Sequence, residues 1–191
     1  MVIALNKPYG VLSQFNQNPD YPDQRTLADI DVPAHLSPVG RLDMDSEGLL
    51  LLSDEVGFEN KLLNPSFEHR RTYWVQVDGT PSDQDLRQWR DGGLQIRKHI
   101  TKPCRVKLLD EHPRFPEREV PLDPVQVARS TWLEMELTEG KNRQVRRMTA
   151  KLGFPTLRLI RIRIGNYTLL DALLPGEWVP MNQQESRSLS A

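Results

Sequence analysis

The stretch "GRLDMDSEGLLLLSDE", residues 40–55, sets three acids and one arginine directly ahead of four leucines, Leu49 to Leu52. A carboxylate in such a loop can act as a nucleophile or as a general base. A loop carried by a strand buried on both faces is held rigidly enough to aim it. Asp43 stands between Leu42 and Met44, which can anchor it and strip part of its water. Gly40 and Gly48 allow backbone angles that other residues resist. Burial disfavours a charged carboxylate unless a cation stands near it, and the arginine-rich stretch after residue 140 is the expected source of that cation. The same residues would equally serve to close Asx-type turns, with Asp43, Asp45 and Ser46 capping the backbone.

The charge is unevenly spread. The chain of 191 residues has a net charge of −1, yet residues 140–170 hold eight basic side chains and no acid: Lys141, Arg143, Arg146, Arg147, Lys151, Arg158, Arg161 and Arg163. That leaves 17 basic against 26 acidic groups elsewhere. One-signed charge of this density repels itself unless a polyanion meets it, so a nucleic acid is the expected partner. Cys104 is single and cannot form an internal disulfide, and His35, His69, His99 and His112 lack the spacing of a zinc site. No apolar run approaches the ~20 residues that span a bilayer, and nothing resembles a secretion signal. A cytoplasmic location and no membrane association are expected.

The elements that must position these residues follow from periodicity. "VIAL", residues 2–5, reads as a short strand, and residues 13–38 as loop with one helical turn near Leu27 to Ile30. "LLLL" suits a strand covered on both sides. Ser53 or Asp54 would cap a helix that Pro65 stops. "TYWVQV", residues 72–77, alternates as a half-buried strand, and "PSDQDLRQWRDGG" has a Ser82 cap and a glycine stop. Residues 101–130 read as a strand plus an irregular excursion near "EHPRFPEREVPLDP", followed by the alternating strand "WLEMEL". Val145, Met148 and Leu152 make one helical stripe. "TLRLIRIRIG" changes parity, which predicts a bulge or bend near residues 159 and 160. Strands and helices follow in mixed order, so the expected class is α+β: a mixed, largely antiparallel central sheet flanked by helices. One domain over residues 1–191 is expected, with two subdomains around a central cleft.

Four segments occur in an order that resembles the RsuA-type branch of the pseudouridine synthases, which isomerise uridine in ribosomal RNA. "LNKPYGVLS" matches that family's N-K-P-x-G segment. "GRLDMDSEGLLLLSDE" matches its hallmark G-R-L-D-x-x-[ST]-x-G-L-L-x-L-[ST]. "RTYWVQVDG" matches its K-x-Y strand, and "LTEGKNRQVRRM" its G-[KR]-x-x-Q-[IV]-[KR]-R-M segment. Arg71 stands where lysine is common, and Ser46 and Ser53 where threonine is common. Many members carry a small N-terminal RNA-binding domain of the S4 type; none is expected here, because the first catalytic strand opens the chain. The ending "GFPTLRLIRIRIGNYTL" is most similar to the large-subunit pseudouridine synthase E subgroup, which implies a uridine of 23S rRNA near the peptidyl-transferase region.

The resemblance implies the pseudouridine synthase catalytic fold and a reaction without cofactor or metal. It makes Asp43 the essential carboxylate, Tyr73 the ring that stacks on the uracil and assists proton removal at C5, and Arg146 the partner of Asp43. Charge puts RNA contacts at Lys141, Arg143, Arg147, Lys151, Arg161 and Arg163. Arg41, Arg70 and Arg71, with the polar Asn142 and Gln144, extend that surface. The expected partner is ribosomal RNA, 23S rRNA first, bound by a monomer. A non-catalytic RNA-binding or ribosome-assembly module with the same fold is the alternative reading. A DNA-binding regulator lacks the helix that should precede "NRQVRRMTAKLG", and a glycosidase using Asp43 with Asp45 or Glu47 lacks any sign of a sugar cleft.

Overall fold

Leu49 to Leu52 have no exposed surface, and they divide between two cores. Leu49 and Leu51 pack on one face of the sheet with Phe58, Leu62 and Leu189. Leu50 and Leu52 pack on the other with Leu27, Leu36 and Leu42. The strand is therefore buried on both faces, as four consecutive leucines require.

The computed structural model describes residues 1–189. Its strands are β1 (Val2–Lys7), β2 (Ser37–Val39), β3 (Glu47–Ser53), β4 (Arg71–Asp78), β5 (Gln95–Ile96), β6 (His99–Ile100), β7 (Arg105–Leu108), β8 (Ser130–Leu137), β9 (Thr156–Ile164), β10 (Tyr167–Thr168) and β11 (Trp178–Pro180). Its helices are α1 (Phe58–Leu63), α2 (Asp83–Asp91), α3 (Pro124–Ala128), α4 (Gln144–Lys151) and α5 (Gln183–Leu189). Among the described residues one nine-stranded sheet runs β11-β1-β3-β9-β4-β8-β7, with β2 beside β3 and β10 beside β9. Among the described strands only β3 and β9 pair in parallel, where Glu47 and Gly48 meet Ile160 and Arg161. The expected α+β class with a mixed, largely antiparallel sheet is what forms.

A third core supports the other half of the sheet. Val75, Leu133, Met135 and Leu137 lie under Leu86 and Trp89 of α2 and Val145 and Met148 of α4. Trp89 ties the two helices together, its Nε1 donating to the Met148 carbonyl at 3.0 Å. Ser82 caps α2 as expected, with the Asp85 carboxylate accepting from the Ser82 amide at 2.8 Å in a reciprocal capping box.

Two expectations are corrected. Helix α1 starts at Phe58, behind a left-handed Gly57 with φ of 82°. Ser53 is instead the last residue of β3, where its hydroxyl accepts from the Glu55 amide at 2.9 Å and is spent on a turn. The parity change in β9 lies not at residues 159 and 160 but at two bulges. Against β4 the register skips Leu157, between Gln76 and Val77, and Ile162, between Thr72 and Tyr73. An extra residue in one strand flips every side chain beyond it. The second bulge consequently sets Arg161 beside Tyr73 and Arg163 beside Thr72, on opposite faces.

The proline-rich excursion after β7 is pinned. Arg158 holds the Glu47 carboxylate with two 2.8 Å hydrogen bonds, donates to the Pro116 carbonyl at 2.5 Å, and lies 5.3 Å from the Phe115 ring centroid. Among the described residues no helix is long and apolar enough to cross a membrane.

Candidate active site

The loop between β2 and β3 is fastened at several points. The Ser13 hydroxyl donates to the Leu42 carbonyl at 2.8 Å and accepts from the Leu42 amide at 3.1 Å. Gly10 of the "NKPYG" turn donates to the Met44 carbonyl at 2.9 Å, and Ser46 donates to the Asp43 carbonyl at 3.0 Å. Leu42 is buried, but Met44 is 37% exposed, so only one of the two expected apolar anchors works as one. Gly48 is required where the loop enters the sheet. A Cβ there would come within 2.4 Å of the Arg161 carbonyl oxygen, at a φ of 93° that side chains resist.

Beneath the same turn Lys7 is fully buried, its ammonium donating to the carbonyls of Pro8 at 2.8 Å and Val11 at 2.6 Å. Burial pulls its pKa down to about 7, against the opposing pull of Glu47 and Asp45. A lysine just after the apolar run Val2 to Leu5 and the buried Asn6 was the sequence signal for this group.

Asp43 opens into a cleft of about 730 Å³ whose walls include Tyr73, Arg41, Arg71 and Arg161. Lys141, Asn142, Arg143 and Gln144 line it from the approach to α4. Sequence segments more than 90 residues apart therefore meet around the carboxylate.

The cation facing Asp43 is Arg143, whose Nη1 lies 3.4 Å from Asp43 Oδ2. The same guanidinium grips Asp45 through hydrogen bonds of 2.9 and 2.7 Å. Arg143 has a left-handed backbone, φ 51°, just ahead of α4; a non-glycine residue held there by its surroundings is strained. The expected Asp43–Arg146 pair is corrected. Arg146, within α4, donates to the Asp45 main-chain carbonyl at 2.6 Å and to the Thr156 carbonyl at 3.2 Å, with Nε 3.4 Å from Asp45 Oδ2. Its position inside the helix points its stem under the loop, whereas Arg143 stands at the rim. Burial pulls the pKa of Arg146 down against the attraction of Asp45. Burial pushes Asp45 up, but the Arg143 hydrogen bonds and the charges of Arg146 and Arg143 together hold it below the usual carboxylate range.

The other expected RNA contacts separate by location. Gln144 is buried and donates to the Glu139 carboxylate, so it braces the wall and does not project from it. Arg161 is buried as well, at 4% exposure, with Nε donating to the Leu49 carbonyl at 2.8 Å. Arg70 and Arg163 lie outside the cleft lining and converge with Arg105 on Glu136, at 2.9, 3.3 and 3.2 Å. The bulge at Ile162 is the reason Arg163 faces away. Arg147 folds back onto Asn142, and Lys151 is exposed near the far end of α4; neither lines the cleft.

The rim holds groups that sequence reading missed. Lys102 Nζ meets Glu68 at 2.8 Å, and His99 Nε2 meets Glu139 at 2.7 Å. These come from three separate segments with no shared motif, so no spacing could have announced them.

A rigidly aimed carboxylate, an aromatic ring and a basic wall in one cleft suit a flipped nucleotide. Against known families, the model described as RNA pseudouridylate synthase matches residues 1–151. The chain belongs to the RNA pseudouridylate synthase family. The synthase is 46% identical over 175 residues to a "Ribosomal large subunit pseudouridine synthase E" of Xanthomonas axonopodis pv. citri, covering 92% of this chain and 90% of that one. It is 32% identical over 188 residues to a "Ribosomal small subunit pseudouridine synthase A" of Yersinia pestis, covering 98% and 72%. A crystal structure titled as a pseudouridylate synthase superposes with a TM-score of 0.80 at 28% identity, covering 98% of the synthase and 73% of that chain. The expected synthase fold is borne out.

Proposed function

We propose that this synthase isomerises one uridine of large-subunit 23S ribosomal RNA to pseudouridine, acting in the cytoplasm as a monomer and as one catalytic unit over residues 1–191. The observation that carries the reading is the shared cleft of Asp43 and Tyr73. The 46% identity to a large-subunit synthase supports the choice of RNA.

In this reading Asp43 is the carboxylate that acts on the ribose, Tyr73 stacks on the uracil, and Arg143 supplies the cation beside Asp43. Arg146 is a positioning residue that holds the loop through the Asp45 carbonyl. A uridine inside a helix hides its glycosidic bond, so it must be flipped out at a cost of a few kcal/mol. Phosphate contacts from Arg41, Arg71, Lys141 and Arg143 around the cleft offset that cost.

The test is to map pseudouridines in rRNA from cells lacking the protein, then restore it as wild type or Asp43→Asn. One 23S site should vanish and return only with wild type. An unchanged 23S map would dismiss the reading.

A further inference from the structure

The structure buries Arg158 and Arg161 near the loop and covers most of Arg146. Arg158 is paired with the Glu47 carboxylate. Arg146 is bonded to two carbonyls, and its Nε, which makes no hydrogen bond, stands 3.4 Å from the Asp45 carboxylate. Arg161 is different. It is 4% exposed, no carboxylate pairs with it among the described residues, and its Nη2 is buried without a hydrogen-bond partner. Nε is committed to the Leu49 carbonyl. Burial pulls its pKa down, the Tyr73 hydroxyl acts on it favourably, and Arg71 repels it. A desolvated guanidinium with an open donor is costly, and such groups call for an explanation. Arg161 lines the cleft that holds Asp43, and it is the register partner of Tyr73 on the same face of the sheet.

We propose that Arg161 receives the detached base: its guanidinium, whose Nη2 has neither a partner nor solvent contact in the structure, turns toward the cleft to donate to a carbonyl oxygen of the uracil and stabilises the negative charge that the ring carries between leaving through N1 and rejoining through C5. The inference rests on the isomerase reading. When the C1′–N1 bond breaks, its electron pair departs with the ring, which becomes a uracil anion with charge on N1 and on both carbonyl oxygens. The sugar is left either bonded to Asp43 or short of its 2′ proton, which Asp43 holds. Reattachment forms C5–C1′ as the Asp43–C1′ bond breaks or, in the other route, as Asp43 returns its proton to C2′; the C5 proton is then lost and N1 gains one, so atoms and charge balance. In both routes the charge to be stabilised is on the ring. A water-excluded guanidinium is best suited to a charge that appears only during reaction.

The test pairs a protein change with an atom change in the RNA. Arg161→Met should fold and bind the RNA with KM little changed, but lose roughly 100-fold in kcat, the scale of losing one donor to a developing oxyanion. RNA with 2-thiouridine or 4-thiouridine at the target replaces one carbonyl oxygen at a time. For one of the two, the uridine-to-thiouridine rate ratio should differ about 10-fold between wild type and Arg161→Met, as expected when a hydrogen bond to that atom is lost. Equal ratios at both positions would overturn the proposal, because a merely structural arginine slows all three substrates alike. Arg161→Lys, which keeps the charge and most of the stem, gives the same comparison should the methionine variant fail to fold. A wild-type protein that makes no pseudouridine in any 23S substrate removes the isomerase reading and this inference with it, whereas normal wild-type turnover with equal ratios removes the inference alone.

Discussion

Arg143 and Asp45 close on each other through two hydrogen bonds, 2.9 and 2.7 Å, across 98 positions of the chain. The pair joins the loop ahead of α4 to the loop ahead of β3, and it brings the Arg143 charge to Asp43. The carboxylate loop is thus held from two sides, by Arg143 at the rim and by Arg146 from beneath.

Those two arginines should fail differently when removed. Arg146→Ala deletes two hydrogen bonds from a side chain only 12% exposed. It should lower stability by about 2–4 kcal/mol, on the scale of bonds to a charged group. Arg143→Ala removes a pair 40% and 29% exposed, worth about 0–1 kcal/mol in stability, and should instead depress turnover. Urea denaturation alongside single-turnover rates separates the two, and equal stability losses would refute the division.

Asp43→Asn should leave folding and RNA affinity intact and reduce pseudouridine formation by at least about 100-fold, as expected for loss of a reacting carboxylate. Tritium release from 5-tritiated uridine in the target RNA measures it. Retained turnover would remove Asp43 from the chemistry.

Lys7 gives a pH signature. Its pKa is about 7 in the fold against an ordinary 10.5, so between those values the unfolded chain binds the extra proton. Stability then rises with pH across that window. Below pH 7 both states are charged and the burial penalty stands in full. The melting temperature of wild type relative to Lys7→Met should climb from pH 7 to pH 10. Parallel curves would mean that Lys7 is not desolvated as described.

Glu47 and Arg158 form a buried pair, 2% and 10% exposed. Glu47→Ala leaves the arginine uncompensated and should cost about 3–5 kcal/mol. Glu47→Leu combined with Arg158→Met should recover much of that loss in thermal melts. Because Arg158 also holds the Pro116 carbonyl, the double variant, which lacks that donor, should be cut faster than wild type by proteases within residues 109–123.

RNA affinity should fall with salt at a log–log slope of roughly −3 if about four cleft-side cations engage single-stranded phosphates. Lys141→Ala should flatten that slope. Lys151→Ala, at a position outside the cleft, should not.

The sequence by itself determined the doubly buried strand, because four adjacent leucines leave no face for water. It determined the capped helix α2 and the alternating strands β4 and β8, since local periodicity and capping chemistry carry that information. It also singled out Asp43 and Tyr73 by motif. Tertiary structure alone decided which cation serves which acid. Arg143 and Arg146 lie three residues apart, and only the left-handed turn before α4 sends one to the rim and the other beneath the loop. It likewise decided the fates of Arg161 and Arg163, since one unpaired residue, Ile162, turns the first into the cleft and the second away. Charge counts are blind to such choices, because the direction of a side chain depends on register across strands that lie far apart in the chain.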